Sequence, residues 1–174
     1  VLSEQWRRWI KEALGLTEHI EVLFNPCPMI EPKPELKQKE ILFAGTVIPR
    51  KGYADLILGF SKIASSFPDW KVVIAGNGEI DKAKAIAKEC GIEKQVVFLG
   101  WVNGKAKDLA FQQASIYCLA SDGEGFPMGV LDAWAYGIPC VVTPVGGLPD
   151  IVVDGENALV FPVGDVDVLA RQLE

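Results

Sequence analysis

The chain has little histidine to work with: one, His19, in 174 residues. A lone imidazole in a linker-like N-terminal stretch builds no Ser/His/Asp arrangement and no metal-ligand cluster. His19 is therefore expected at the surface or at a strand edge. Basic residues are also scarce. Lys and Arg number 17 against 23 Asp and Glu, a net charge of -6 at pH 7. That excludes a broad nucleic-acid face, which needs dense positive charge. It does not exclude one diphosphate, which needs only local donors. There is no CxxC pair among Cys27, Cys90, Cys118 and Cys140. Cys118 and Cys140 lie in apolar runs and are expected to be buried thiols in a reducing, cytoplasmic setting. Long hydrophobic runs are missing too. The longest, Ile138 to Val145, is interrupted by Pro and Thr and is too short to span a bilayer. The chain opens on Val1 with no leader pattern, which fits a piece cut from a longer protein.

What remains is the composition of an ordinary globular domain, 49% hydrophobic and 23% charged. Ser3 to Leu14 is predicted to be a helix, with Ser3 as cap and Gly15 as stop. Ile20 to Phe24 alternates apolar and polar and predicts a strand. Asn25 to Pro34 holds four prolines and must be loop. Strand and helix signals then alternate. Strands are expected at Ile41–Ala44, Lys71–Ala75, Val96–Leu99, Ile116–Leu119, Pro139–Thr143 and Ala158–Phe161. Helices are expected at Tyr53–Phe67, Ile80–Glu89, Lys105–Gln112, Pro127–Tyr136 and Asp165–Leu173. Strands that are apolar throughout are buried on both faces. The fold class is thus α/β, a Rossmann-like doubly wound parallel sheet of about six strands. Residues 1–36 read as an interdomain helix, strand and Pro-rich linker, and 37–174 as the domain.

Each Gly-rich turn follows a strand, at the sheet end where doubly wound folds bind ligands. The turn Ser121-Asp122-Gly123-Glu124-Gly125-Phe126-Pro127-Met128-Gly129 opens a helix that carries Asp132. A helix start offers unpaired N–H groups and partial positive charge, which suit phosphate. Carboxylates on either side suit the hydroxyls of ribose and sugar. The stretch reads as a site for a sugar joined to a nucleoside diphosphate.

The motifs around it resemble a known family. Gly45-Thr46-Val47-Ile48-Pro49-Arg50-Lys51-Gly52 resembles a G-R-x-x-x-x-K-G loop. Val73-Ile74-Ala75-Gly76-Asn77-Gly78 and Val96-Val97-Phe98-Leu99-Gly100 resemble the strands and turns that follow it. Glu124 to Asp132 resembles an E-x7-E motif, and Gly137-Ile138-Pro139-Cys140-Val141-Val142 a G-x-P-V-V strand. Gly146-Gly147-Leu148-Pro149-Asp150 matches a G-G-x-x-[DE] turn. Together they resemble the C-terminal, nucleotide-sugar-binding half of GT-B glycosyltransferases of family 4 (group 1), which are retaining enzymes. Two positions depart: Thr46 stands where the family has Arg, and Asp132 is one carbon, about 1.5 Å, shorter than Glu.

The resemblance implies a catalytic role for Glu124, against the donor sugar's hydroxyls and the oxocarbenium-like transition state. It implies phosphate contacts from the backbone N–H groups of Gly125, Phe126, Met128 and Gly129, but not from Pro127, which has none. Asp132 would accept from the ribose hydroxyls. Lys51 would meet the phosphates, with Arg50 replacing the charge missing at Thr46. Gly45 and Gly76 would line the site, and Trp101 and Val102 the nucleobase. No metal or other cofactor is implied. The partners would be a nucleotide sugar, a glycan or lipid-linked acceptor, and an absent N-terminal domain that supplies any membrane attachment. Alternatives are a non-catalytic nucleotide-binding module, to which Thr46 and Asp132 lend weight, and a GT-B-like sugar-nucleotide epimerase.

Overall fold

The computed structural model describes residues 1–15 and 19–174. Among them six strands form one parallel sheet: β1 (Glu40–Ala44), β2 (Lys71–Ala75), β3 (Val96–Gly100), β4 (Ile116–Leu119), β5 (Cys140–Val142) and β6 (Leu159–Val160). Their order is β3-β2-β1-β4-β5-β6. The chain therefore winds outward from β1 in one direction and from β4 in the other. The crevice between β1 and β4 is the switch point at which such sheets bind ligands.

Successive residues of each strand enter different cores. Ile41, Phe43, Val72, Ile74 and Cys118 pack with α2 (Tyr53–Ser61), α3 (Ile80–Glu89) and α6 (Val166–Leu173). Leu42, Val73, Tyr117, Leu119 and Cys140 pack on the other face with α4 (Gly104–Gln113) and α5 (Met128–Ala135). Both faces are covered, which is why the strand runs are apolar without alternation.

The first helix, α1 (Glu4–Leu14), follows the expected grammar. The Ser3 hydroxyl accepts from the Trp6 backbone N–H at 3.2 Å, and Gly15 closes the helix at φ 63°. Two expectations are corrected. Ile20 to Phe24 is no strand: it meets the chain start through two hydrogen bonds, Leu23 N–H to Val1 O at 2.8 Å and the Val1 ammonium to Glu21 O at 2.9 Å. An alternating pattern forms a strand only beside a partner ladder. The helix expected to reach Phe67 stops at Ser61 and continues as tight turns. Pro68 disfavours helical backbone at Phe67, and the Ser61 hydroxyl donates to Leu58 O at 2.7 Å. A smaller adjustment is at Pro127, which is the N-cap of α5 rather than its first helical residue.

Lys37 ties the linker to the domain. Its ammonium donates to the carbonyls of Ala114 at 2.8 Å, Phe111 at 3.4 Å and Tyr136 at 3.5 Å, at the C-terminal ends of α4 and α5. Burial lowers its pKa, and the three carbonyl dipoles face the charge that remains. His19 is exposed, as expected.

All four cysteines are free. Burial raises the Cys118 thiol's pKa and pushes that of Cys140 up to about 12. A thiolate is needed for reaction. A native titration with a thiol reagent at pH 8 should therefore modify the exposed Cys27 fastest. Cys118 and Cys140 should react only in denaturant. Reaction of all four at one rate in the folded chain would contradict the buried placement.

Candidate functional site

Two clefts open at the carboxyl end of the sheet, one on each side of the turn that starts α5. The first, about 350 Å³, is lined by Ala44, Gly45, Ala75, Trp101 to Gly104, Lys107, Phe111, Gly129 and Asp132. It lies on the β1 side of the switch point, over the ends of β1, β2 and β3, with α4 and α5 as its walls. Asp132 projects into it from α5, mostly buried, and meets Lys107 of α4, Nζ to Oδ2 2.7 Å. The Lys107 ammonium also lies 5.5 Å from the centre of the Phe111 ring. Trp101 is 67% exposed at the mouth, while Val102 is half-buried, on the cleft wall and against the core.

The second cleft, about 320 Å³, is lined by Gln5, Trp6, Trp9, Asp122, Gly123, Glu124, Pro144, Val145 and Gly146. The side chain of Glu124 is only 5% exposed. Both its oxygens lie 2.7 Å from Lys51 Nζ, and Oε1 also accepts from the Ser121 hydroxyl at 2.6 Å. Ser121 is itself fixed, because its carbonyl accepts from the buried Thr143 hydroxyl at 2.5 Å. The carboxylate is thus held by Lys51 from the loop after β1 and by Ser121 of its own turn, which Thr143 after β5 fixes in place.

The expected residues divide between these surroundings. Gly45, Trp101, Val102, Gly129 and Asp132 come together in the first cleft. Glu124 lines the second, with Lys51 on its carboxylate. Arg50 is tied to the same turn: its guanidinium donates to Gly123 O, and its own carbonyl accepts from Asp122 N–H. Thr46 is exposed and lines neither cleft. Gly76 is buried where a Cβ would stand 1.8 Å from Gly45 O, so it lets the first two loops cross. Gly125 accepts from Gly147 N–H at 2.8 Å, and Phe126 and Pro127 are buried beneath the turn. Met128 and Gly129 open α5, whose start has no side-chain cap. Its first N–H groups are the orphan donors that suit an anion.

Sequence reading gave no role to Lys107, to Ser121 or to the tryptophans of α1. Nothing local distinguishes Lys107 from a surface lysine. Only its position one turn before Phe111 on α4 puts it on the cleft wall. Among the described residues no group of side chains is placed to hold a metal ion, and no helix is long and apolar enough to cross a membrane.

Comparison with known proteins agrees with this fold. The family model of the group 1 glycosyl transferases matches residues 29–174. The chain belongs to that family. Curated relatives match it almost end to end. The phosphatidyl-myo-inositol mannosyltransferase of Mycolicibacterium smegmatis is 30% identical over 181 residues, 99% of this chain and 46% of that protein. A lipopolysaccharide outer core galactosyltransferase, solved in apo form, superposes with TM-score 0.79 at 27% identity, over 98% of this chain and 50% of the other. The pneumococcal O-GlcNAc transferase, solved with UDP and GlcNAc, shares the fold with TM-score 0.82 at 18% identity, over 99% and 37%. The chain spans about half the length of the curated relatives it matches or less. The fold is that of the C-terminal GT-B domain of group 1 enzymes, Rossmann-like with six parallel strands.

Proposed function

We propose that this chain is the donor-binding domain of a retaining glycosyltransferase that moves a sugar from a nucleoside diphosphate sugar to an acceptor in glycan synthesis. One observation carries the reading: a buried carboxylate, Glu124, bound by Lys51 and Ser121 beside the uncapped start of α5. The donor would lie across the turn. Its base would meet Trp101 and Val102, and its ribose hydroxyls would donate to Asp132. Its diphosphate would face the first N–H groups of α5, and its sugar would point toward Glu124.

Each end of that path has suitable chemistry. The dipole at the start of α5 is worth roughly half a positive charge and favours the diphosphate. Lys51 has three N–H donors, and Glu124 engages at most two, so the ammonium can serve a phosphate oxygen as well. Lys107, 2.7 Å from Asp132, adds a cation to the wall of the first cleft. Residues 37–174 would form the donor domain. Residues 1–36 would lead from an N-terminal acceptor domain, which closes the cleft and supplies any contact with a membrane surface in the cytoplasm. The chain alone should bind donor weakly and turn it over hardly at all.

Calorimetry with UDP-, GDP- and ADP-sugars tests this. One base series should bind in the millimolar range or better. Asp132→Asn should weaken that binding about tenfold, as expected for one charge-assisted hydrogen bond. It should also remove any preference for the ribonucleotide over its 2′-deoxy analogue. A folded chain that binds none of them would sink the proposal.

A further inference from the structure

Trp6 and Trp9 stand where core tryptophans do not. They are 42% and 56% exposed, and their rings meet edge to face with centroids 5.5 Å apart at 79°. No residue of α1 is buried. The helix is held at its beginning instead. Ser3 is fully buried, and the Glu4 backbone N–H donates to the Asp150 carboxylate at 2.7 Å. That anchorage stands both indoles over the loop that holds Glu124. The cleft between has Gln5, Trp6 and Trp9 on one wall, and Asp122 to Glu124 with Pro144 to Gly146 on the other. Its volume of about 320 Å³ lies within the usual range of small-molecule sites, roughly 300–1,000 Å³.

We propose that this cleft is a pyranoside-binding subsite, with the Trp6–Trp9 corner as its platform. A pyranose ring has apolar C–H faces and a rim of hydroxyls. The faces call for aromatic surface, and the rim for carboxylate, amide and carbonyl groups. Two indoles near right angles take one face and one edge of such a ring. The opposite wall supplies the polar partners. A carboxylate has about four acceptor positions, and Lys51 and Ser121 occupy three on Glu124, leaving one on Oε2. Asp122 and Gln5 are exposed at the rim. A nonpolar protein partner would find those acceptors costly to cover. The ligand role rests on the function proposed above: if Glu124 faces the transferred sugar, the sugar held opposite it belongs to the acceptor.

Saturation-transfer NMR on the 174-residue chain decides the matter, with methyl glycosides of mannose, galactose and glucose as probes. At least one should receive saturation, strongest at its ring C–H protons. Trp6→Ala and Trp9→Ala should each cut that signal about fivefold or more, and Trp9→Phe should keep most of it, because aromatic contact is what the site supplies. Circular dichroism confirms that the variants are folded. No saturation of any glycoside overturns the subsite, as does a signal that survives both alanine variants. Adding UDP-, GDP- and ADP-sugars to parallel samples separates the two proposals. Nucleotide binding without glycoside saturation removes only the subsite. Tryptophan-dependent glycoside saturation without nucleotide binding removes the donor reading and leaves a saccharide site.

Discussion

Glu124→Gln in the intact protein should lower kcat/KM for sugar transfer by about 10²–10³-fold, the usual effect of removing one preorganised electrostatic group. Glutamine keeps the shape and can still accept from Ser121, but it loses the charge that would face a developing oxocarbenium centre. The same change leaves the Lys51 ammonium without its carboxylate. Breaking a fully buried pair costs about 3–5 kcal/mol. Lys51 is 21% exposed, so water can take over part of its solvation and the loss should be smaller. The double variant Lys51→Met/Glu124→Gln separates the two effects. It should recover much of the melting temperature and none of the activity. Activity within tenfold of wild type for the folded Glu124→Gln enzyme would remove the catalytic assignment and favour the non-catalytic alternative.

Gly52→Ala should cost at least about 3 kcal/mol, on the scale of the largest single-residue effects. Gly52 has φ 68°, where a side chain costs roughly 1–2 kcal/mol. The greater part of the loss is steric. A Cβ there would stand 1.9 Å from Ala120 O and 2.4 Å from its carbonyl carbon, both backbone atoms of the chain leaving β4. The two loops would have to separate, and Lys51 would leave Glu124. Melting should fall by roughly 6–12 °C, at about 2–4 °C per kcal/mol for a chain this long. Gly155→Ala is the control. Its φ is 78°, but nothing lies within 4 Å of the added carbon, so only the backbone strain should appear. Equal losses at the two positions would show that the approach to Ala120 carries no weight.

The sequence made the fold legible wherever the signal was local. Apolar runs marked strands buried on two faces, and Ser3 and Gly15 marked the ends of the first helix. Glu124 was legible for the same reason, since a carboxylate in a Gly/Pro turn after an apolar strand stands out by itself. What depended on distant parts of the chain was not. The alternation at Ile20 to Phe24 named a strand without showing that no ladder stood beside it. Lys107 and Asp132 are 25 residues apart, and their contact follows from how α4 and α5 pack over one sheet face. Reading Glu124 to Asp132 as one motif also hid a separation. The two carboxylates open into different clefts, because the start of α5 stands between them.

Lys37 has a mechanical consequence. A pull on the chain ahead of Pro34 does not reach β1 directly. It is taken up by the Gln112 side chain, which accepts from Lys33 N–H and donates to Glu31 O, and by the Lys37 ammonium on the Phe111, Ala114 and Tyr136 carbonyls, at the far ends of the two helices that carry Lys107 and Asp132. Tension in the linker would thereby be delivered to both walls of the crevice together, which would keep the spacing of that ion pair.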